Sequence, residues 1–328
     1  MRKSRIILLT LFISLSFAAF QAMGEEGNQY TVDQTAIVKD SFSDTVPEWS
    51  PIIITEGSVS EVVSQPAFAT GGVAATSSEK QACGFGVSAR EGLVSYLNTD
   101  TTLFDRKTEG RWPIASITKL MTAIVATELE MEKQTIEITE AMRATEGEAG
   151  NFKTGERVSG TDLLVSMLLV SSNDAAEAFA QTYGRDAFVR RMNTKAQELR
   201  MHNTHYTDPS GLSPMNQSTP NDLYTLAGYL YTAHPDLLKI TQQKKATITD
   251  LATNRKRVLA TINEFAGQAL FANSGRVTFV GGKTGYIAEA EGNGNLLTVF
   301  TYNKQPFVIV VLGSPDRFGE TRTLLKCI

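Results

Sequence analysis

Hydrophobic residues recur with a helical period in the middle of the chain. In "SITKLMTAIVATELEM", preceded by Pro113, apolar positions follow i, i+3, i+4 spacing. This spacing predicts one helix with a buried face made of Ile117, Leu120, Met121, Ile124, Val125 and Leu129. Similar patterns predict helices at 161–170, 173–183, 185–200 and 220–233, with Gly184 ending the second of these.

Near the end of the chain the apolar positions alternate instead, as in β-strands. The segments "RVTFVGGKTGYI", "NLLTVFTYN" and "FVIVVLGS" predict strands, the last two joined through 304–306, and a final helix follows from about Phe318. Before the helices, "GFGVSAR" and "GLVSYLN" predict a hairpin that turns at Glu91-Gly92. Strands at both ends with helices between them indicate an α+β fold, with an antiparallel sheet flanked by helices.

The N-terminal part of the chain differs in character from the rest. Residues 1–24 combine a basic start, an apolar stretch and small residues, which is typical of a secretory signal cleaved after Gly24; the alternative is an uncleaved membrane anchor. Residues 25–80 show no sustained period and indicate a flexible linker. The pattern predicts an exported protein whose only association with a membrane would be through the N-terminus.

Composition and charge exclude some classes of function. The formal net charge is −4, from 31 basic and 35 acidic residues without long runs of one sign, so nothing indicates nucleic-acid binding. Cys83 and Cys327 are the two cysteines, and they can be one disulfide or two buried thiols. Two cysteines and three scattered histidines, including His202 and His205, do not form a zinc site, and no cofactor is indicated.

Three short patterns can carry chemistry, and two of them occur twice. Ser-x-x-Lys is found at 77–80, within the polar linker, and at 116–119, where Ser116 and Lys119 lie one turn apart on a helix face. Considered alone, Ser116 is most simply an N-cap of that helix. The second pattern, Ser171-Ser172-Asn173, lies between two apolar helices and could equally be a capped turn.

The third pattern is Lys-Thr-Gly, at 153–155 and at 283–285. The first copy precedes a predicted helix start and is typical of a turn. The second copy ends a predicted strand, and Gly281-Gly282 before it would let a ligand or another chain approach the backbone. Such a strand edge can dock an extended peptide and hold its carboxylate.

The order of the three patterns resembles that of the penicillin-recognising serine enzymes. The segments "RWPIASITKLMTAIVATE", "LLVSMLLVSSNDAAEAFA" and "VGGKTGYIAEAEGNG" resemble the D-alanyl-D-alanine carboxypeptidase family, the low-molecular-mass penicillin-binding proteins related to penicillin-binding proteins 5 and 7. The resemblance implies a catalytic domain over 81–328. It also implies a β-lactamase/DD-peptidase-like fold: a five-stranded antiparallel sheet flanked by helices, with a helical subdomain.

The resemblance also implies roles for individual residues. Ser116 would be the nucleophile, and Lys119 the general base, with its pKa lowered by the charge of Lys283. Ser171 would relay protons toward the leaving amine, and Asn173 would hydrogen-bond the substrate backbone.

The predicted carboxylate site is formed by the end of the strand. Lys283 and Thr284 would bind the terminal carboxylate of D-Ala-D-Ala, and Gly285 would leave room for it. Arg317 aligns with an arginine that the family places nearby. The backbone N–H groups of Ser116 and Tyr286 would hold the oxyanion.

The implied reaction is serine-type D-Ala-D-Ala carboxypeptidase activity on peptidoglycan stem peptides, with β-lactams as inhibitors. About two extra residues after Tyr286 put the substrate preference in question. The segments "PIASITKLMTA" and "GLSPMNQST" resemble the endopeptidase branch of the family, so an endopeptidase that cuts cross-bridges is the alternative. A class A β-lactamase would carry Glu-x-x-Leu-Asn downstream, and the sequence has none. A non-catalytic homologue would lack Ser116 or Lys119, and both are present.

Overall fold

The computed structural model describes residues 83–99, 101–147, 149–272, 275–287 and 294–328. All of them belong to a unit that spans Ala69–Ile328. The predicted signal, the linker, the Ser-x-x-Lys copy at 77–80 and most of the extended segment after Tyr286 lie outside the described residues. None of the helices described is both long and apolar enough to span a membrane.

Over the described ranges, the central feature is a six-stranded antiparallel sheet. In spatial order it contains β2 (Thr102–Arg106), β1 (Glu91–Tyr96), β12 (Gln305–Ser314), β11 (Gly294–Tyr302), β10 (Gly275–Tyr286) and β9 (Leu270–Ala272). The sheet contains the five strands that the resemblance implies and the three-residue edge strand β9 in addition, but β2 lies at 102–106 and the predicted strand "GFGVSAR" is not one. The α+β class predicted from the sequence is therefore confirmed.

The described ranges also contain three two-stranded sheets that are separate from the central one. They are β3 (Trp112–Pro113) with β6 (Gln217–Ser218), β4 (Thr135–Glu137) with β5 (Arg157–Ser159), and β7 (Lys245–Asp250) with β8 (Arg255–Ala260).

The described helices match most of the predicted ones closely. They are α1 (Lys119–Glu128), α2 (Gly160–Leu169), α3 (Asn173–Tyr183), α4 (Arg185–Glu198), α5 (Pro220–Ala233), α6 (Pro235–Gln242) and α7 (Arg317–Leu324). Local capping sets several of their starts. The hydroxyls of Ser159, Ser172 and Thr219 accept hydrogen bonds from backbone N–H groups of the first turns of α2, α3 and α5.

Both faces of the sheet are buried, which explains the continuous apolar run of β12. Val308, Val310 and Leu312 face a core shared with the helices from α1 to α6. The alternate residues Phe307, Ile309 and Val311 face a second core that contains Phe318 and Leu324 of α7. This arrangement packs β10 and β11 between two apolar layers, and a strand held in this way can position functional side chains precisely.

The predicted hairpin at Glu91-Gly92 is wrong. Both residues lie inside β1, which pairs with β2 through the turn after Tyr96. A Cβ built on Gly92 would lie 3.1 Å from the Phe104 ring and 3.2 Å from the carbonyl oxygen of Val310. The glycine is therefore a close-packing position in a strand rather than a turn residue.

The two cysteines form a disulfide and are not two buried thiols. Cys83 and Cys327 are bonded, with their Cα atoms 5.2 Å apart. The bond ties the segment before β1 to the short 3₁₀ turn that follows α7. Glu320 of α7 makes the same connection through hydrogen bonds from the backbone N–H groups of Ser88 and Ala89, at 2.7 and 3.1 Å.

Candidate active site

Ser116 lies in a 3₁₀ turn, Ala115–Thr118, that leads directly into α1. The turn is entered through Ala115 in a left-handed conformation, with φ of 49°. Ser116 is not the N-cap of α1, because Thr118 holds that position, and the N-cap of the preceding turn is Ile114; neither side chain makes a capping hydrogen bond. Its hydroxyl is partly exposed and lies 2.9 Å from Nζ of Lys119, which is the geometry that a serine nucleophile and its base require.

Lys119 is fully buried, and its amine lies among three oxygen atoms. Nζ is 2.9 Å from Oγ of Ser116, 2.7 Å from Oδ1 of Asn173 and 2.5 Å from the carbonyl oxygen of Ser210. Burial lowers the pKa of Lys119 to about 7, against a smaller opposing effect of the Asp208 charge. The pKa is lowered as predicted, but the main cause is desolvation rather than the charge of Lys283.

The Ser171-Ser172-Asn173 turn contributes its side chains from the opposite side. Ser171 has a φ of 63°, while Ser172 is buried and caps α3 by accepting from the Ala175 N–H at 3.2 Å. Nδ2 of Asn173 donates to the carbonyl oxygen of Glu146 at 2.5 Å, which directs Oδ1 toward Lys119. The middle serine is therefore structural, and its two neighbours face the site.

Lys283 extends from β10 and is 1% exposed. Its Nζ donates to Oγ of Ser171 at 3.0 Å and to the carbonyl oxygen of Thr284 at 2.9 Å. Burial and then the charges of Lys119 and Arg317 lower its pKa well below the usual value for lysine. A carboxylate placed beside Lys283 would favour its charged form and lower the cost of that burial.

The glycines around the Lys-Thr-Gly segment serve close packing within the protein. A Cβ on Gly282 would lie 2.2 Å from the carbonyl oxygen of Leu297 in β11, and one on Gly281 would lie 2.7 Å from that of Leu238 in α6. The expectation that this pair admits a ligand is therefore not met. A Cβ on Gly285 would lie 2.6 Å from the carbonyl oxygen of Ile114, so Gly285 lets β10 approach the turn that carries Ser116.

Arg317 begins α7 and reaches the end of β10. Its Nη1 donates to the carbonyl oxygen of Gly285 at 3.3 Å, and its buried Nε has no hydrogen-bond partner. Burial lowers the pKa of Arg317 below the usual arginine value. With Tyr286, Gly294 and 314–318, it lines an open cavity of 490 Å³. A partly buried guanidinium with an unused N–H group is suited to bind a carboxylate.

The Lys-Thr-Gly copy at 153–155 and the histidines lie elsewhere. Lys153 is exposed and its tripeptide forms a turn before β5, as predicted. His205 is held by two backbone hydrogen bonds with Gln217, and His202 is exposed. Over the described ranges, no group of histidine, cysteine and acidic residues is arranged to hold a metal ion.

One part of the site was not predicted from the sequence. The loop 208–213 supplies the Ser210 carbonyl to Lys119, and Gly211 packs on the backbone of Ala115 and Ser116. A backbone carbonyl has no sequence signature. The only available signal was the turn-forming stretch "DPSG", in which an aspartate can accept from backbone N–H groups that follow it.

The chain is similar in sequence to proteins of one known family. Residues 75–316 match the family model described as D-alanyl-D-alanine carboxypeptidase. A D-alanyl-D-alanine endopeptidase of Escherichia coli is 29% identical over 265 residues, which cover 77% of this chain and 79% of that protein. An endopeptidase of Pseudomonas aeruginosa is 42% identical over 139 residues, but this match covers only 41% of this chain and 44% of the relative.

Solved structures agree with the sequence matches. The crystal structure of a D-alanyl-D-alanine carboxypeptidase from Mycobacterium tuberculosis has a TM-score of 0.65 and 27% identity, covering 73% of this chain and 90% of that one. Penicillin-binding protein D2 of Listeria monocytogenes, solved in its ampicillin-bound form, has a TM-score of 0.62 and 26% identity, with coverage of 74% and 97%.

The fold and these matches define the class of the protein as a serine peptidase of the penicillin-binding type. Because the family model covers most of the described residues, the chain belongs to the D-alanyl-D-alanine carboxypeptidase family.

Proposed function

We propose that this protein is a serine-type D-Ala-D-Ala carboxypeptidase that acts on peptidoglycan stem peptides through an acyl-enzyme on Ser116. The observation that carries the proposal is the contact of 2.9 Å between the Ser116 hydroxyl and a buried lysine whose pKa is lowered to about 7. A lysine with its ordinary pKa of 10.5 would be almost entirely protonated at neutral pH and could not accept a proton.

In the first step Oγ of Ser116 attacks the carbonyl carbon of the penultimate D-alanine while its proton passes to Lys119. The C–N bond then breaks, and the proton held by Lys119 passes through the Ser171 hydroxyl to the leaving amine, which leaves Lys119 neutral again. Lys283 holds that hydroxyl by donating to it at 3.0 Å. In the second step Lys119 takes a proton from a water molecule that attacks the ester, and passes it to Oγ of Ser116 as the ester bond breaks. The backbone N–H groups of Ser116 and Tyr286 hold the oxyanion that forms on attack.

The substrate carboxylate binds between β10 and α7. Lys283, Thr284 and Arg317 present a cation, a hydroxyl and a guanidinium there, and Gly285 keeps the strand close to the nucleophile. Asn173 hydrogen-bonds the peptide backbone on the other side. Arrival of a carboxylate stabilises the charged form of Lys283 while Lys119 stays neutral, so one buried lysine binds and the other acts as a base.

Cleavage of peptide cross-bridges is the second candidate function. The relatives from E. coli and P. aeruginosa are named D-alanyl-D-alanine endopeptidases. The cavity of 490 Å³ beside Arg317 offers more room than the methyl group of a terminal alanine needs. Mass spectrometry of digested peptidoglycan separates the two activities, because a carboxypeptidase removes one alanine and an endopeptidase splits cross-bridged dimers.

We further propose that the protein works outside the cytoplasm, in the periplasm or cell-wall space. The signal-like residues 1–24, the disulfide between Cys83 and Cys327, and the location of peptidoglycan support this proposal. Cell fractionation of a tagged full-length chain, with and without deletion of 2–24, tests it. Retention of the undeleted protein in the cytoplasm would contradict it.

Labelling with fluorescent penicillin tests the mechanism. The wild type should become covalently labelled and Ser116→Ala should not, whereas Ser77→Ala and Lys153→Ala, which alter the duplicate motifs, should be labelled like the wild type. No label on the wild type, or equal label on Ser116→Ala, would refute the proposed function.

A further inference from the structure

The loop 208–213 is held in shape by one carboxylate. Asp208 is 7% exposed, and its Oδ1 accepts hydrogen bonds at 2.7 Å from the backbone N–H groups of Ser210 and Gly211 and from the Ser210 hydroxyl. Its Oδ2 accepts from the Ser213 N–H at 2.9 Å. With a longer hydrogen bond of 3.4 Å from the Leu212 N–H to Oδ1, five hydrogen bonds to this carboxylate fix the path of a loop that forms no regular secondary structure.

This fixed path places a carbonyl group on the amine of the general base. The Ser210 oxygen lies 2.5 Å from Nζ of Lys119, and the Asn173 amide oxygen lies 2.7 Å from the same atom. A neutral amine has two N–H groups and one lone pair, and both of these oxygens can only accept. When they take the two N–H groups, the lone pair is left facing the Ser116 hydroxyl at 2.9 Å.

The same loop also packs closely against the turn that carries the nucleophile. Gly211 has a φ of +85°, and a Cβ on it would lie 2.0 Å from the Ala115 carbonyl oxygen and 2.9 Å from the Ser116 nitrogen. Glycine is therefore required at this position for both its conformation and its contact. Movement of the loop would be transmitted to the lysine and to the serine together.

The charges around Lys119 come from several elements. Asp208 faces it from the loop and Lys283 from β10, with Arg317 of α7 beyond Lys283. Arg185 of α4 interacts with Asp208 electrostatically but is paired with Glu177 at 3.1 Å. Among the described residues Asp208 forms no ion pair of its own, so no partner cation neutralises the negative charge that acts on Lys119.

We propose that Asp208 is a positioning residue for the general base: it shapes the loop 208–213 so that the Ser210 carbonyl orients the Lys119 amine toward Ser116, and its charge acts on that amine. The proposal rests on the proposed function, because it takes Lys119 to be the base. It adds a residue outside the three motifs to the machinery of proton transfer.

The variant Asp208→Asn tests the charge, because it keeps the size of the side chain. A negative charge favours the protonated amine, so removing it makes Lys119 easier to deprotonate. The acylation rate falls on the acid side of its pH profile (the acid limb) as Lys119 becomes protonated. In this variant the acid limb should therefore lie at a lower pH, by about half a unit or more. Asp250→Asn is the matched control, since Asp250 is 3% exposed and also holds a loop through backbone N–H groups, but on the β7–β8 hairpin.

The variant Ser210→Ala tests the shape, because it removes one hydrogen bond to Asp208 and keeps the carbonyl and the charge. We expect the acylation rate to be severalfold lower than in the wild type at every pH, while the acid limb stays at the same pH as in the wild type. An acid limb that stays in place in a folded Asp208→Asn protein would overturn the proposal, and so would an unchanged rate in Ser210→Ala. Absence of label on the wild type would instead refute the proposed function, so the two failures are distinguishable.

Discussion

The titration of Lys119 should control the rate at which a penicillin acylates Ser116. If the pKa is about 7, the neutral fraction of the lysine is roughly one tenth at a pH one unit below that value and roughly nine tenths at one unit above it. The second-order rate constant should therefore rise about tenfold between about pH 6 and about pH 8 and level off above that. With the ordinary value of 10.5, it would still be rising tenfold per unit at pH 8.

Fluorescent penicillin and rapid quenching supply this measurement over the whole range, with thermal unfolding recorded at each pH to exclude loss of the fold. Lys119→Arg is the decisive variant, because arginine keeps a positive charge but cannot lose its proton in a protein. It should be inactive at every pH. A rate without an acid limb near neutrality, or measurable acylation of Lys119→Arg, would refute the assignment of Lys119 as the base.

Three further predictions concern substrate binding, packing and stability. Arg317→Leu should raise KM for a D-Ala-D-Ala peptide about tenfold to a hundredfold, from the loss of one charge-assisted hydrogen bond, and an unchanged KM would remove Arg317 from the carboxylate site. Gly285→Ala should lower the acylation rate at least about tenfold, because its Cβ would lie 2.6 Å from the Ile114 carbonyl oxygen; a wild-type rate would show that β10 can shift freely. Replacing Cys83 and Cys327 together by serine should lower the free energy of unfolding in denaturant by about 2–5 kcal/mol, since the bond closes a loop with a sequence separation of 244, and an unchanged midpoint would contradict this.

Helices were predictable where local groups start and stop them. The bounds 173–183 and 220–233 agree with the structure because Ser172 and Thr219 cap the first turns and Gly184 interrupts the chain after Tyr183. These signals act within three or four residues, so the sequence alone contains them.

Elements that depend on distant partners were missed or placed wrongly. The helix α6 has only eight residues, and the β7–β8 hairpin carries many exposed charges, so neither shows a strong apolar period. Gly92 suggested a turn, yet it lies in β1 because Phe104 and β12 pack closely over it.

The sequence by itself determined which chemical groups the site would contain and their order along the chain: a serine with a lysine one turn later, a serine-asparagine turn and a lysine on a strand. Only the tertiary structure decided how they meet, because the contacts join residues that are distant along the chain. Lys283 reaches Ser171 across 112 positions, and the Ser210 carbonyl reaches Lys119 across 91. Burial by those same contacts lowers the pKa of Lys119, and desolvation of this kind has no signature in a local sequence pattern.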